Sequence, residues 1–272
     1  MSAESETYTH GHARSVLRSH ATRTVADSAA YLAPSLRSGL RVLDVGCGPA
    51  TITVDLAERV APGEVVAIEP VSAPLESARD TVTAAGVGNV SLRHGDVYTL
   101  DAADDSFDVV HAHQVLQHLA DPIGALREML RVCTPDGLVA ARDADYAAMT
   151  WYPADSRLDR WLEIYRAVAR ANGAEPDAGR RLLAWAHAAG AEWVWPSASV
   201  WCYATPEERA EWGHMWAERI TESDIARQAV DGGYATGNEL AEIADAWRVW
   251  AGAEDGWLTI VHGEVRCTPV PE

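Results

Sequence analysis

Lysine is missing from this chain: all 22 of its basic residues are arginine. That excludes any reaction through a lysine imine. Runs of five or more basic residues are missing too, and the formal net charge is −18. Nucleic-acid binding leans on phosphate neutralisation by Lys and Arg, so no nucleic-acid partner is expected. No apolar run approaches the roughly 20 residues of a membrane helix. The Ser-, Glu- and Thr-rich start has no apolar signal core, and the expectation is a cytoplasmic protein without a membrane span. The four cysteines, Cys47, Cys133, Cys202 and Cys267, have neither paired metal spacing nor disulfide density, so no metal is expected. Internal repeats and low-complexity segments are also lacking, and there is one phenylalanine against eleven tryptophans.

At 272 residues the chain can bury a large core, and one elaborated α/β domain is the default. Residues 41–54, Arg-Val-Leu-Asp-Val-Gly-Cys-Gly-Pro-Ala-Thr-Ile-Thr-Val, carry the densest signal. A short apolar strand, Val42 to Val45, runs into Gly46-Cys47-Gly48, and Pro49 is expected to open a helix at its first position. A strand–glycine turn–helix lets a ligand lie against bare backbone. Asp44, near the strand end, can order the turn or accept from a ligand. Cys47 reads as a small packing residue. Residues 64–69 read as a buried parallel strand ending in Glu69, 21 residues after Gly48. An acid at that place accepts from ribose hydroxyls in doubly wound nucleotide-binding folds. Residues 90–97 form a third strand ending in Gly95-Asp96, and 107–119 a fourth strand and a turn. Asp121-Pro122 starts a helix whose buried face carries Ile123, Leu126, Leu130 and Cys133. Pro135-Asp136-Gly137 reads as a turn before a fifth strand, Leu138 to Ala141.

These elements, in this order, resemble the class I S-adenosylmethionine (SAM)-dependent methyltransferases, and within them the ubiquinone/menaquinone-biosynthesis type and its small-molecule relatives. The glycine turn is similar to the family's D-x-G-x-G-x-G, with Ala50 in place of the third glycine, compatible with a position that is already helical. The resemblance covers residues 40–145 closely. It implies a Rossmann-like seven-stranded, mostly parallel sheet with helices on both faces, SAM as cofactor and S-adenosylhomocysteine as product. Asp44, Gly46, Cys47, Gly48, Glu69 and Pro70 would then face the cofactor. Asp96, flanked by Gly95 and Val97, would accept from the adenine amine. His113-Gln114 matches the place where family members touch the methionine end of the cofactor. His118 is similar to a histidine common in the family and reads more as structural than catalytic.

Residues 1–39 read as a helical cap ahead of the first strand, with Tyr8, His10, His12, Arg14, Arg18, His20 and Arg23 crowding it. Arg18 or Arg23 could receive the cofactor carboxylate, with Tyr8 beside it, or this face could simply be solvated. After residue 145 the composition shifts, since every tryptophan lies between Trp151 and Trp257. Residues 155–172 and 177–189 look helical, 192–203 alternates as a strand, 206–253 looks helical, and Trp257 to Arg266 is a final strand. Residues 40–272 thus form the main domain, and 206–253 is a helical insertion between strands six and seven. At ~50 residues it is too long for a hairpin loop and is expected to act as a lid. Three or four of the tryptophans are expected to line a pocket, with Trp212, Trp216, Trp247 and Trp250 sharing helix faces.

In-line methyl transfer asks the protein to align the acceptor, exclude water and, where needed, remove a proton. Candidates for that base are His113, His118, Asp143, Asp145 and Tyr146, the last three expected at the rim beyond strand five. The acceptor expected is a small, flat or apolar molecule, with carbon, oxygen or nitrogen methylation left open. A homodimer is an open option. The competing reading keeps the fold and SAM binding but catalyses another reaction or none.

Overall fold

The computed structural model describes residues 23–270. Seven strands form one sheet in the order β3-β2-β1-β4-β5-β7-β6. β1 (Val42–Val45) pairs in parallel with β2 (Val65–Glu69) on one side and β4 (Phe107–His113) on the other. β3 (Val90–His94) continues outward from β2, and β5 (Cys133–Tyr152) from β4, both in parallel. β7 (Trp257–Cys267) runs antiparallel between β5 and the edge strand β6 (Val194–Tyr203). β1 and β2 are buried at every position, as continuous apolar runs covered on both faces should be.

Before β1 lie a short helix α1 (Val25–Ser28), capped by Thr24 and Asp27, and a 3-10 turn, Ala33–Ser35. The rest of the expected cap, with Tyr8, His10, His12, Arg14, Arg18 and His20, lies outside the described residues. α2 (Thr51–Val60) buries Ile52, Leu56, Ala57 and Val60. With Val25, Ala29 and Leu32 it covers the face of the sheet that carries Val42, Val65, Val109 and Ala140. α3 (Ser72–Ala85) links β2 to β3. α4 (Pro122–Val132) starts as the sequence predicts, with Pro122 in its first turn and the Asp121 carboxylate accepting from Gly124 N. It joins α6 (Leu182–Ala189) over Leu43, Val45, Val110 and Val139.

Two expectations are corrected. α2 begins at Thr51, and its N-cap Ala50 sits at φ 63°, so Pro49 belongs to the turn and Ala50 is left-handed, not helical. β5 starts earlier and ends later than Leu138–Ala141. Its start is irregular: pairing with β4 jumps from Cys133 to Leu138, so Pro135–Gly137 is an irregularity inside the strand. Past Arg142 it has no further β4 partner but keeps pairing with β7 as far as Tyr152.

That overhang carries the second core. α5 (Ser156–Ala171), α7 (Pro206–Glu222), α8 (Asp224–Asp231) and α9 (Gly237–Gly252) pack on it. α7 and α9 start with complete capping boxes, Thr205 with Glu208 and Thr236 with Glu239. Trp161, Trp216 and Trp247 are wholly buried here; Trp161 meets the other two edge-on at 4.5 and 4.9 Å. Trp250 is buried with them.

Candidate functional site

The connection after β1 leads outward to β2 and the connection after β4 leads outward to β5 on the other side, which opens a crevice at the C-terminal ends of β1 and β4. The glycine turn lies there. Gly46 has φ +66°, and a Cβ on it would meet Val115 Cγ2 at 2.6 Å, so the turn leaving β4 lies hard against the turn leaving β1. Gly48 has φ +52° and nothing within 4 Å of where a Cβ would stand. Its backbone is left-handed with open space above it, which fits a ligand approaching bare main chain. Asp44 orders the turn: its carboxylate accepts from Thr53 Oγ1 at 2.6 Å and sits 2.9 Å from His111 Nδ1.

Glu69 closes the other side. Its Oε2 accepts from Gly48 N at 3.1 Å and its Oε1 from Val71 N at 3.2 Å. Each oxygen keeps a lone pair for a ligand hydroxyl. Burial raises its pKa, and the two backbone donors work against that rise. Pro70 follows it in the half-buried turn. Burial beside Asp44 and Glu69 pushes the Cys47 thiol well above its ordinary value, so it is a neutral packing group. Beyond β3, Gly95 N donates to Glu69 O, and Asp96 Oδ1 accepts from Tyr98 N at 2.9 Å. Val97 is buried and Asp96 half-buried. The glycines, Glu69 and Asp96 thus line the ends of three neighbouring strands, and they suit a nucleoside with a ribose and an exocyclic amine.

At the end of β4, His113 stands in register with Arg142 of β5. Among the described residues, neither ring nitrogen of His113 has a hydrogen-bond partner, nor do Nη1 and Nη2 of Arg142. Burial, then Arg23 and Arg142, drive the His113 pKa well below 6.5, so the ring is neutral. Arg142 Nε donates to Ser199 Oγ at 3.0 Å and lies 3.4 Å from Glu264 Oε1. Trp201 is the hub of this layer. Its ring lies 5.8 Å from His113 and 4.3 Å from His262, and the Arg23 and Arg142 guanidiniums lie over it at 5.3 and 4.8 Å. Gln114, at φ +53°, bonds to both Arg23 and His262. Arg142 and His262 escaped the sequence reading because β5 and β7 bring them beside His113 only through sheet register.

The other candidates for a base sit elsewhere than expected. Asp143 is not at a rim: it lies within β5, fully buried, and accepts from Gln117 N at 3.2 Å. Burial raises its pKa to about 8. Asp145 is held by both forks of Arg180, at 2.7 and 2.8 Å. Tyr146 belongs to the second core, stacked on Tyr165 at 4.1 Å. His118 lies 3.0 Å from the Gln117 amide, and burial lowers its pKa to about 3. Nor do the tryptophans divide as expected. Trp216, Trp247 and Trp250 are core, while Trp201, Tyr203 and Trp212 are half-buried and pack against that core from outside. Tyr203 stacks on Trp212 at 4.4 Å. Among the described residues no cluster of His, Cys, Asp or Glu is placed to hold a metal, and no helix is long and apolar enough to cross a membrane.

A family profile described as a methyltransferase domain matches residues 36–217. An uncharacterized methyltransferase of Schizosaccharomyces pombe is 34% identical over 95% of this chain and 95% of its own. A demethylmenaquinone methyltransferase of Listeria monocytogenes is 32% identical over 50% of this chain and 54% of its own. Among solved structures, the YcgJ protein of Bacillus subtilis superposes with a TM-score of 0.59 at 18% identity, covering 89% of this chain and 98% of its own, a likeness of fold alone.

Proposed function

The chain belongs to the class I SAM-dependent methyltransferase family, and from that premise we propose that it binds SAM at the ends of β1, β2 and β3 and transfers its methyl group to a small acceptor. The observation that carries the cofactor reading is Glu69, joined to the amide of the open, left-handed Gly48. Glu69 would hold the ribose hydroxyls, Asp96 the adenine amine, and the turns at Gly46 and Gln114 the methionine end. When bound, the cofactor supplies a methyl group already activated on a sulfonium. What the protein must add is alignment, exclusion of water and a place for any proton released.

The acceptor would lie between the end of β4 and the overhanging helices. Trp201, Tyr203 and Trp212 support a flat or apolar molecule there, and the insertion would act as the lid that excludes water. His113 is the group best placed to touch it. A neutral imidazole can accept a hydrogen bond from an acceptor hydroxyl or amine, and the bare Arg142 nitrogens nearby favour negative charge developing on it. Asp143 is a weaker candidate, because burial raises its pKa to about 8 and leaves it mostly protonated at neutral pH. The test is turnover: methyl-labelled SAM with a panel of phenols, quinols and amines should release S-adenosylhomocysteine only when an acceptor is present. Tight SAM binding with no release across the panel would favour a reaction other than methylation.

A further inference from the structure

The hydrogen-bonded chain Arg23–Gln114–His262 joins three segments that are far apart in sequence. Arg23 Nη2 donates to Gln114 Oε1 at 3.0 Å, and Gln114 Nε2 lies 2.9 Å from His262 Nε2. The protons on this chain are determined. A guanidinium and an amide nitrogen can only donate, so one orientation of the Gln114 amide satisfies both partners. His262 Nε2 must then be the bare nitrogen. Nδ1 carries the proton and donates to Ile260 O at 3.2 Å. Burial, with Arg142 and Arg23 nearby, drives the His262 pKa well below 6.5 and keeps the ring in this form. A protonated ring would set donor against donor.

Gln114 is where this bracing has leverage. It is a non-glycine residue in the left-handed region, at φ +53°, which an L residue adopts only when its surroundings hold it there. Its N–H donates to Arg142 O at 2.7 Å. The next residue is Val115, the side chain against which Gly46 is pressed. A relaxation of Gln114 would therefore move a wall of the glycine turn. The same ring of His262 packs on Trp201, whose Nε1 donates to Asp27 O at 2.9 Å, so the N-terminal segment is anchored twice to one imidazole.

Building on the cofactor site proposed above, we propose that His262 is a positioning residue for cofactor binding: it accepts from Gln114, holds the left-handed turn at the end of β4, and through Gln114 sets Arg23 beside the methionine end of the site. The experiment is calorimetric titration of S-adenosylhomocysteine into the wild type, His262→Gln and His262→Leu, with melting temperatures in parallel. A glutamine can present Oε1 where Nε2 lay; a leucine fills the space without an acceptor. Losing the acceptor and leaving a buried donor bare should weaken binding about tenfold in His262→Leu, while His262→Gln stays within about threefold of wild type. The melting temperatures of the two variants should not differ in the same way. Gln114→Met, which removes both bonds, should weaken binding at least as much and stands in if His262→Leu fails to fold. Equal affinities in all proteins, or losses that simply follow melting temperature, overturn the proposal. A wild type that binds no S-adenosylhomocysteine defeats the cofactor reading itself, a different and separately visible result.

Discussion

Around β1, β2 and β4 the core is mainly aliphatic, with Val42, Val45, Leu56, Val65 and Leu126 beside a single Phe107, whereas above the overhang of β5 and β7 it is built around Trp161, Trp216, Trp247 and Trp250. The first region keeps its backbone bare where strands end, with glycines at Gly46 and Gly48 and polar contacts made main chain to carboxylate. The second fills space with rings contributed by three different helices. The proposed binding chemistry and the aromatic packing are thus separated. The row His113, Trp201, His262 joins the two regions, with a neutral imidazole on one side facing aromatic surface on the other.

The separation can be broken most forcefully at the tryptophans. Trp247→Ala empties a wholly buried site and should cost ~3–5 kcal/mol, read as a fall in melting or denaturant midpoint. S-adenosylhomocysteine affinity of the folded fraction should hardly change. A selective loss of ligand affinity without loss of stability would mean that the aromatic core reaches into the site. Trp212→Ala, at a half-buried ring, should do the opposite: a small stability change and altered acceptor kinetics.

The next largest effect concerns Asp143, at the junction of the two regions. Its folded pKa of about 8 is raised above that of an exposed aspartate by burial. Its contribution is fully present below the unfolded value of about 4 and is lost as pH rises toward 8. Wild type should therefore lose stability relative to Asp143→Asn across that window, by at most about 1.4 kcal/mol per pH unit. Parallel stability profiles for the two proteins would show that Asp143 is ionised in the folded state and paired in a way its surroundings do not suggest.

The smallest effect lies in the glycine turn. Ala50 holds φ 63°, where a Cβ is unfavourable, so Ala50→Gly should gain roughly 0.5–1 kcal/mol, visible as a modest rise in melting temperature. A loss instead would mean that the entropy of the unfolded glycine outweighs the relieved strain.

The same contrast explains what could be read from the sequence. The strand–turn–helix at 41–54 and the acid at Glu69 are local patterns, each spanning one crossover, and they fold where the spacing puts them. The helical insertion is also legible, because capping residues and amphipathic spacing are local. The length of β5 is not. Pro135–Gly137 has turn chemistry that the strand absorbs as an irregularity, and the polar run Asp143–Ala144–Asp145 hides a strand that pairs there with β7. The reading of Ala50 as helical failed because an alanine gives no sign that it is held left-handed. His262 lies 148 residues from Gln114, and no pattern within one segment announces a partner so distant. Burial likewise decides which tryptophans are core, and that depends on which helix packs on which overhang.

The central claim, that the ends of β1, β2 and β3 form a SAM site with Glu69 at its middle, is tested most directly by calorimetric titration of S-adenosylhomocysteine into wild type and Glu69→Ala. The account predicts one site per chain in the wild type and binding weakened by about 1–3 kcal/mol in the variant, the worth of charge-assisted bonds from ribose hydroxyls. Binding of equal strength in the two proteins would contradict it.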